Sequence, residues 1–163
     1  MKKIAVFPGS FDPFTLGHEA IVKRALPLFD KIIIGIGVNS TKKGLIPIPE
    51  RKTMISDCFQ GIDKVEIKEF SGLTVDFCKA ENAHFILRGL RDGKDFDYER
   101  SIAMMNREMN NNVETYFLIT NPEYTAINAS IVREIAMNGG DISSFVPQPI
   151  ANQIKKYLQK HEN

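Results

Sequence analysis

Two short stretches of this chain carry residue types suited to binding phosphate groups. The first, "PGSFDPFTLGH" at residues 8–18, supplies a hydroxyl at Ser10 and an imidazole at His18. The second, "RGLRDGKDFDYE" at residues 88–99, supplies guanidinium groups at Arg88 and Arg91. Hydroxyl and imidazole groups donate hydrogen bonds to phosphoryl oxygens, and arginine binds them in a bidentate manner. A fold that brings the two stretches together would build an anion site.

The first stretch links an apolar run to a helix-like pattern. Gly9 lets the backbone turn sharply and approach a ligand, and Gly17 clears space where the helix begins. Free N–H groups and the dipole at the helix start would then face the anion, with His18 in the first turn. The chain has neither a Walker loop nor the G-x-G-x-x-G fingerprint. The stretch therefore predicts phosphate binding by another kind of loop.

Apolar runs and helical periodicity alternate along the chain. Strands are predicted at residues 3–7, 31–38, 65–70, 84–87 and 113–119. Helices are predicted after His18 up to about residue 26, from residue 49, over 73–81, around 98–109, over 130–138 and around 150–158. The alternation predicts an α/β fold: a doubly wound, Rossmann-like domain with a five-stranded parallel sheet. The fourth helix carries an apolar stripe, which is more typical of a core face than of a ligand pocket: Tyr98, Ile102, Met105 and Met109.

The strand patterns also predict their order. The runs at 31–38 and in the fourth strand are apolar throughout, as in central strands, whereas "VEIKEF" at 65–70 alternates like an edge strand. An order of 3-2-1-4-5 fits these patterns. It places the topological switch point, where such sheets bind ligands, between strands 1 and 4. The loops after strands 2 and 5 open at the same edge and add Lys42, Lys43 and residues 121–134.

Length and composition bound the remaining possibilities. The chain has 163 residues and a net charge of +1, which indicates one domain over residues 1–163 and no general field for nucleic acid or membrane surfaces. No apolar stretch is long enough to span a membrane, so a cytoplasmic protein is expected. Cys58 and Cys78 lack metal-ligand spacing and are expected to fill the core. His84 and His161 are interpreted as structural and terminal.

At this point the motifs identify a family. The stretches "PGSFDP", "TLGH", "LRGLR", "DFDYE" and "INASIVRE" occur in order along nearly the whole chain, which resembles the bacterial phosphopantetheine adenylyltransferases of the nucleotidyltransferase superfamily. The resemblance implies reversible formation of dephospho-coenzyme A and pyrophosphate from ATP and 4'-phosphopantetheine. It also implies Mg²⁺ bound with the ATP phosphates, a homohexamer, and coenzyme A as an inhibitor, as in relatives.

The resemblance also implies site residues. His18 would stabilise the transition state, and Ser10 would lie between the α-phosphate of ATP and the attacking phosphate. Lys42 and Arg88 would hold the acceptor phosphate, and Arg91 the ATP phosphates; the catalytic set is His18, Ser10, Lys42 and Arg91. Other ATP-binding positions would be Phe11, Gly89, Leu90, Glu99, Tyr124, Thr125, Ala126, Ile127, Asn128, Ala129 and Ser130. Lys43, Lys94 and Arg100 are interpreted as solvated cations.

The segment "INAS" at residues 127–130 departs from the family pattern I-S-S-[ST], because Asn128 and Ala129 replace two of its three hydroxyl residues. Ala129 removes one side-chain contact to ATP, so weaker ATP binding is expected, while Ser130 is expected to cap the following helix. Arg133, one turn inside that helix, corresponds to a family cation aimed at the phosphates. The pantetheine arm would contact Thr74 and also Asn106 and Glu134.

No protein ligand for a metal is predicted. Asp12 precedes a proline in a tight loop and is interpreted as a turn residue. Two alternatives to the pantetheine reaction stay open. One is a transferase for another phosphate acceptor, such as nicotinamide mononucleotide or glycerol 3-phosphate. The other is a silent nucleotide-binding regulator on the same fold.

Overall fold

The computed structural model describes residues 1–38 and 44–161 and contains the predicted parallel sheet. Five strands pair in parallel in the order β3-β2-β1-β4-β5, with β3 at one edge as its alternating pattern predicts. Their bounds are β1 Ile4–Gly9, β2 Lys31–Gly37, β3 Val65–Phe70, β4 Phe85–Leu90 and β5 Glu114–Ile119. The predicted fold class and strand order are confirmed.

Six α-helices and one 3-10 turn connect and follow the strands within the described ranges. They are α1 Leu16–Ala25, α2 Ile48–Cys58, α3 Thr74–Ala80, α4 Gly93–Met109, α5 Ala129–Met137 and α6 Gln148–His161, with the turn at Pro122–Tyr124. The first helix was predicted to follow His18 but begins at Leu16, because the side chain of Thr15 caps it. His18 is therefore the third residue of α1, inside its first turn.

The sheet is covered on both faces. On one face, α1, α2, α5 and α6 pack against Ala5, Ile32, Ile34 and other inward residues of the central strands. On the opposite face a smaller cluster joins Val6, Ile33 and Ile86 to residues of α3. Burial of β2 on both faces explains why this strand is apolar throughout.

The carboxyl ends of β1 and β4 are neighbours. Ala5 pairs with Phe85 and Val6 with Ile86, so the two strands run side by side toward the same edge. Beyond the paired residues, Nη1 of Arg88 donates a hydrogen bond of 2.8 Å to the carbonyl oxygen of Pro8. The loop after β1 and the loop after β4 therefore meet at one crevice.

The fourth helix places its apolar stripe differently from the prediction. Three of its four residues, Tyr98, Met105 and Met109, are 69%, 65% and 51% exposed and face away from the sheet, whereas Ile102 is partly buried. Glu99 is the buried residue of α4, and its face of the helix turns toward the strands. The interpretation of the stripe as a core face was wrong, because periodicity shows which residues share a face and not which face is covered.

The two cysteines are free thiols. Cys78 lies fully inside the core, and the Cys58 thiol donates to the Met54 carbonyl oxygen at 3.3 Å. Burial raises the pKa of both thiols to about 12, so both are protonated at neutral pH. Over the described ranges, no helix combines the length and the apolar character needed to cross a membrane.

Candidate active site

A cavity of about 340 Å³ opens at the carboxyl ends of β1 and β4. Twelve of the predicted site residues line it: Ser10, Phe11, His18, Arg88, Gly89, Arg91, Glu99, Tyr124, Ile127, Asn128, Ala129 and Ser130. Its walls come from the loop after β1, the start of α1, the end of β4, the start of α4 and the segment after β5. The topological switch point is therefore where the sequence placed it.

The imidazole of His18 is oriented by the residue that caps its helix. The backbone N–H of Thr15 donates to Nδ1 of His18 at 3.0 Å, and the Thr15 hydroxyl lies 3.1 Å from the same nitrogen. Because Nδ1 accepts, the ring proton of the neutral imidazole resides on Nε2. His18 thus presents an N–H donor, and not a lone pair, from the nitrogen remote from the helix cap.

Aromatic rings surround this imidazole. The ring of Phe11 meets it edge-on at a centroid distance of 5.1 Å, and the rings of Phe14 and Phe7 lie at 5.4 and 6.1 Å. Burial first, and then the positive charges of Arg88 and Arg91, lower the pKa of His18 to about 4. The imidazole is therefore neutral at pH 7 in the ligand-free protein. An arriving polyanion would favour its protonation.

Arg88 is held on both sides. Its Nε donates to Glu99 at 2.7 Å, and Nη2 donates to the other carboxylate oxygen of the same residue. With Nη1 on the Pro8 carbonyl, all three guanidinium nitrogens are engaged. Arg88 and Glu99 line both the main cavity and a second one of about 270 Å³ on the other side. The pair therefore forms a wall between two binding spaces.

Arg91 is also held by a carboxylate. Its Nε and Nη2 donate to the two oxygens of Asp95 at 2.9 and 3.1 Å. This bidentate bond holds the pKa of Asp95 below its usual value. Asp95 also lines the main cavity, and it was missed as a site residue; the signal in the sequence was its position four residues after Arg91 on the start of a helix.

Gly9 lines both cavities, and its lack of a side chain also makes room for a neighbouring ring. A Cβ at this position would lie 2.8 Å from the ring of Phe11, so glycine is needed to make room for that ring. Phe11 itself has a positive φ of 49° and is 3% exposed. The loop turns at Phe11, and its ring then fills the space that a side chain at Gly9 would occupy.

The segment after β5 closes the main cavity through the start of α5. Asn128 caps this helix, since its Oδ1 accepts the backbone N–H groups of Ser130 and Ile131 at 2.9 and 3.4 Å. The prediction that Ser130 is the cap was wrong: α5 begins at Ala129, and the cap precedes it. Asn128 thus replaces one of the missing hydroxyl residues in the capping role.

The second cavity collects predicted residues of the pantetheine arm. Thr74 and Asn106 line it together with Phe70, Ile102 and Ala103. The rings of Phe70 and Phe77 stack with centroids 4.5 Å apart, which makes one wall rigid and apolar. The space suits a ligand with a largely apolar surface, and Arg88 lies on the side shared with the main cavity.

Several predicted residues lie elsewhere. Leu90, Thr125 and Ala126 line neither cavity, and the carbonyl of Leu90 instead accepts the backbone N–H of Thr120 at 2.7 Å. Glu134 is exposed on α5 away from both cavities. Lys42 and Lys43 lie outside the described residues. His84 is far from the cavity in the fold, with Nδ1 3.2 Å from the Asn112 carbonyl oxygen.

Arg133 and Asp12 pair with each other. Nη1 of Arg133 lies 3.4 Å from a carboxylate oxygen of Asp12, and Arg133 is not among the residues that line either cavity. Asp12 lies in a turn, as interpreted, and its carboxylate also accepts the backbone N–H groups of Leu45 and Ile46, more than 30 residues away, which the sequence did not indicate. Thr120, buried at the end of β5, also lines the main cavity and was missed. The switch-point rule could have found it, since Thr120 directly follows β5 at the sheet edge where the site lies.

The main cavity offers cations and N–H donors more than metal ligands. Its two carboxylates, Asp95 and Glu99, are each engaged by an arginine. Among the described residues, no group of three or more His, Cys, Asp or Glu side chains could hold a metal ion.

Chemically, this arrangement suits the transfer of a phosphoryl-type group between two anions. A neutral imidazole N–H, a hydroxyl, two arginines and a helix N-terminus converge on one space. Within the described residues, the cavity contains no serine or cysteine nucleophile activated by a base. Such a site would position charged reactants and stabilise charge that develops between them.

Comparisons with known proteins agree with this chemistry. A sequence model of the family described as Cytidylyltransferase-like matches residues 6–135. The phosphopantetheine adenylyltransferase of Leptospira biflexa is 49% identical over 156 residues, covering 96% of this chain and 98% of the relative. That of Cytophaga hutchinsonii is 49% identical over 150 residues, covering 92% and 100%.

Solved structures share the fold at lower identity. A bifunctional NMN adenylyltransferase/ADP ribose pyrophosphatase from Francisella tularensis superposes with a TM-score of 0.78 at 19% identity, covering 99% of this chain and 51% of that one. The nicotinic acid mononucleotide adenylyltransferase of Plasmodium falciparum, complexed with NaAD, gives a TM-score of 0.72 at 17% identity, covering 100% and 99%. These likenesses establish the fold.

Proposed function

The chain belongs to the cytidylyltransferase-like family, and from that premise we propose that it transfers an adenylyl group from ATP to 4'-phosphopantetheine. The products are dephospho-coenzyme A and pyrophosphate, and the reaction is reversible. One observation carries the proposal: the chain matches proteins named phosphopantetheine adenylyltransferase over nearly its whole length, at 42–49% identity. The single domain, residues 1–163, would supply the whole nucleotidyltransferase activity.

The reaction needs positioning more than proton abstraction. A phosphate oxygen of the acceptor attacks the α-phosphorus of ATP, a new P–O bond forms, and the bond from the α-phosphorus to the bridging oxygen breaks. Pyrophosphate leaves with that bonding pair. Because the attacking phosphate is already anionic near neutral pH, no general base is required. The residues that matter are those that align two anions and stabilise the charge between them.

The donors of the main cavity divide between the two reactants. His18, with its proton on Nε2, would donate to a phosphate oxygen of ATP as charge develops in the transition state. Ser10 would lie between the α-phosphate and the attacking phosphate. Arg91 would bind the leaving pyrophosphate, and Lys42 would join Arg88 on the acceptor. Lys42 lies outside the described residues, so its role rests on the resemblance.

The adenosine part of ATP would occupy the wall formed after β5. Tyr124, Ile127, Asn128 and Ala129 line it, and they would provide the contacts to adenine. Glu99 is expected near the ribose. In the ligand-free protein, Glu99 makes a bidentate bond to Arg88 and so orients that guanidinium.

The acceptor would enter through the second cavity. Its phosphate would reach Arg88 at the wall between the two spaces, and its pantetheine arm would run past Thr74 and Asn106. Mg²⁺, when bound, would neutralise charge on the ATP phosphates. Coenzyme A, which contains the pantetheine arm, would compete for the same space and inhibit the enzyme.

The protein would act as a cytoplasmic homohexamer. The resemblance implies this assembly, and one face of the protomer supports it. Tyr98, Met104, Met105 and Met109 of α4 and Ile119 of β5 are all more than half exposed, which is unusual for such large apolar side chains in one region. We name this group the α4–β5 apolar face and propose that it lies between protomers.

The test is turnover by the purified protein. It should release pyrophosphate from MgATP when 4'-phosphopantetheine is present, and slowly or not at all with nicotinamide mononucleotide or glycerol 3-phosphate as acceptor. Faster turnover with either of these acceptors would assign the chain to another branch of the family. Binding of ATP without any turnover would favour a silent regulator.

A further inference from the structure

The buried carboxylate of Asp12 joins the loop after β1 to the segment that precedes α2. Its Oδ2 accepts the backbone N–H of Leu45 at 2.7 Å, and its Oδ1 accepts that of Ile46 at 3.0 Å. Asp12 is 3% exposed, so these bonds are shielded from water. Two charge-assisted bonds to one carboxylate hold the two segments in a defined relative position.

Arg51, on α2, closes the same junction from the other side. Its Nη1 donates to the carbonyl oxygen of Ser10 at 2.7 Å, and its Nη2 donates to that of Ile46 and lies 3.7 Å from Asp12. Arg51 is 7% exposed. A guanidinium presents its donors in a rigid plane, so these bonds set the position of the Ser10 backbone relative to α2.

Gly44 leaves no spare room at this junction. A Cβ there would lie 2.6 Å from Oδ2 of Asp12 and 2.6 Å from Nη2 of Arg51. Neither group can easily retreat, because Asp12 is held by two backbone N–H groups and Arg51 by two carbonyls. Substitution of Gly44 would therefore disturb the network without removing any of its members.

We propose that Arg51, held in place by Asp12, is a positioning residue that sets where Ser10 stands in the main cavity. Ser10 lines that cavity, and its carbonyl is anchored outside it by Arg51. Displacement of the anchor would move the Ser10 hydroxyl and N–H relative to His18 across the space. This inference rests on the proposed function, since it assigns Ser10 a part in that reaction.

A positioning role makes a different demand from a role in stability alone. If Arg51 acts through Ser10, its substitution should lower kcat while the KM for ATP changes little, since most ATP contacts lie on other elements. The Arg51 substitution should also have a much smaller effect on kcat in a protein that lacks the Ser10 hydroxyl. Substitution of a residue that merely supports the fold would lower the melting temperature, and its effect on kcat would multiply with that of Ser10→Ala.

The experiment begins with wild-type turnover of MgATP and 4'-phosphopantetheine, followed by the same assay on Arg51→Lys, Ser10→Ala and the double variant. Arg51→Lys should lower kcat about tenfold or more, since a misplacement near 1 Å can cost about 100-fold, with a KM for ATP within about threefold of wild type. In the Ser10→Ala background the same change should lower kcat less than about threefold. Lys52→Arg, an exposed cation exchange one residue further along α2, is the matched control and should leave kcat unchanged.

Gly44→Ala is the second variant, for use if Arg51→Lys does not fold. It should reproduce the fall in kcat with circular dichroism like that of wild type. A kcat within twofold of wild type for a folded Arg51→Lys or Gly44→Ala protein would overturn the inference, and so would full multiplication of the Ser10 and Arg51 effects. Absence of turnover by the wild type would overturn the proposed function and, with it, this inference.

Discussion

Nδ1 of His18 accepts the backbone N–H of Thr15 at 3.0 Å, and this one bond decides which nitrogen of the imidazole is the donor in the cavity. Thr15 caps α1 and orients the histidine at the same time. The helix cap and the candidate catalytic donor are therefore one local structure. Most of the predictions below depend on this neutral, oriented ring and on the arginines that face it.

Removal of the His18 ring should slow the chemical step. His18→Ala is expected to lower kcat about 100-fold or more, which is the typical loss for one well-placed transition-state donor. The KM for ATP should change much less. Steady-state kinetics at saturating acceptor measure both values. His84→Ala, at a histidine outside the cavity, is the control; a raised KM with unchanged kcat for His18→Ala would instead make His18 a ground-state ligand.

The pKa of His18 should be observable directly. The ring is expected to titrate near pH 4 in the ligand-free protein and at a higher pH with ATP bound, because the triphosphate favours the imidazolium. A ¹H–¹³C NMR titration of the ring, assigned by comparison with the His18→Asn variant, would measure both values. A ligand-free midpoint near 6.5 would contradict the burial of the ring.

The same shift predicts a loss of stability in acid. Between pH 6.5 and about 4 the unfolded chain binds a proton at His18 that the folded chain does not, so the free energy of unfolding falls as the pH is lowered through this range. The full slope for one group is about 1.4 kcal/mol per pH unit. Urea unfolding at several pH values should show a shallower dependence in His18→Asn than in wild type. Identical slopes for the two proteins would remove His18 as the cause.

Arg88 should not be replaceable by lysine. The Arg88→Lys variant keeps the positive charge, but a lysine cannot make the bidentate bond to Glu99 together with the bond to the Pro8 carbonyl. The cation would therefore no longer be held at the wall between the cavities. The KM for 4'-phosphopantetheine is expected to rise about tenfold or more, with a smaller effect on the KM for ATP. Arg107→Lys, at an exposed arginine paired with Glu114, is the control. Equal changes in both KM values would contradict the assignment of Arg88 to the acceptor.

The cap of α5 links stability to ATP binding. Asn128→Ala should lower the free energy of unfolding by about 1 kcal/mol and raise the KM for ATP, because the helix start that lines the cavity would fray. Asn128→Ser should restore most of both properties, since serine is also a good cap. Ala129→Ser should lower the KM for ATP by returning a hydroxyl to the site. Thermal unfolding and initial-rate kinetics test all three variants.

Fold and site differed in how far sequence reasoning could go. The strand order followed from which runs alternate and which are apolar throughout, as with the edge strand at 65–70. The convergence of His18 with the two arginines then followed from the order. Pairings across long separations could not be read in this way: nothing near Asp12 in the chain indicates that it binds Leu45 and Ile46. The prediction that the apolar stripe of α4 faces the core was wrong for a similar reason, because helical periodicity does not show what covers a face.

The α4–β5 apolar face should control assembly. Met105→Glu is expected to reduce the hexamer to smaller species, because a carboxylate buried between protomers without a partner is strongly unfavourable. Sedimentation velocity on wild type and variant measures this directly. Leu28→Glu, at an exposed apolar residue outside that face, should leave the assembly intact. A wild-type protein that sediments as a monomer would refute the proposed hexamer.

The wall that Arg88 and Glu99 share between the two cavities bears on how a catalytic cycle would end. ATP would occupy the main cavity and the acceptor the second one, whereas dephospho-coenzyme A is one molecule that would occupy both. Such a tethered ligand loses its translational freedom once for two sets of contacts, so it should dwell longer than either part alone. Departure of the finished molecule, and not the bond-making itself, would then be the slow event of the forward direction.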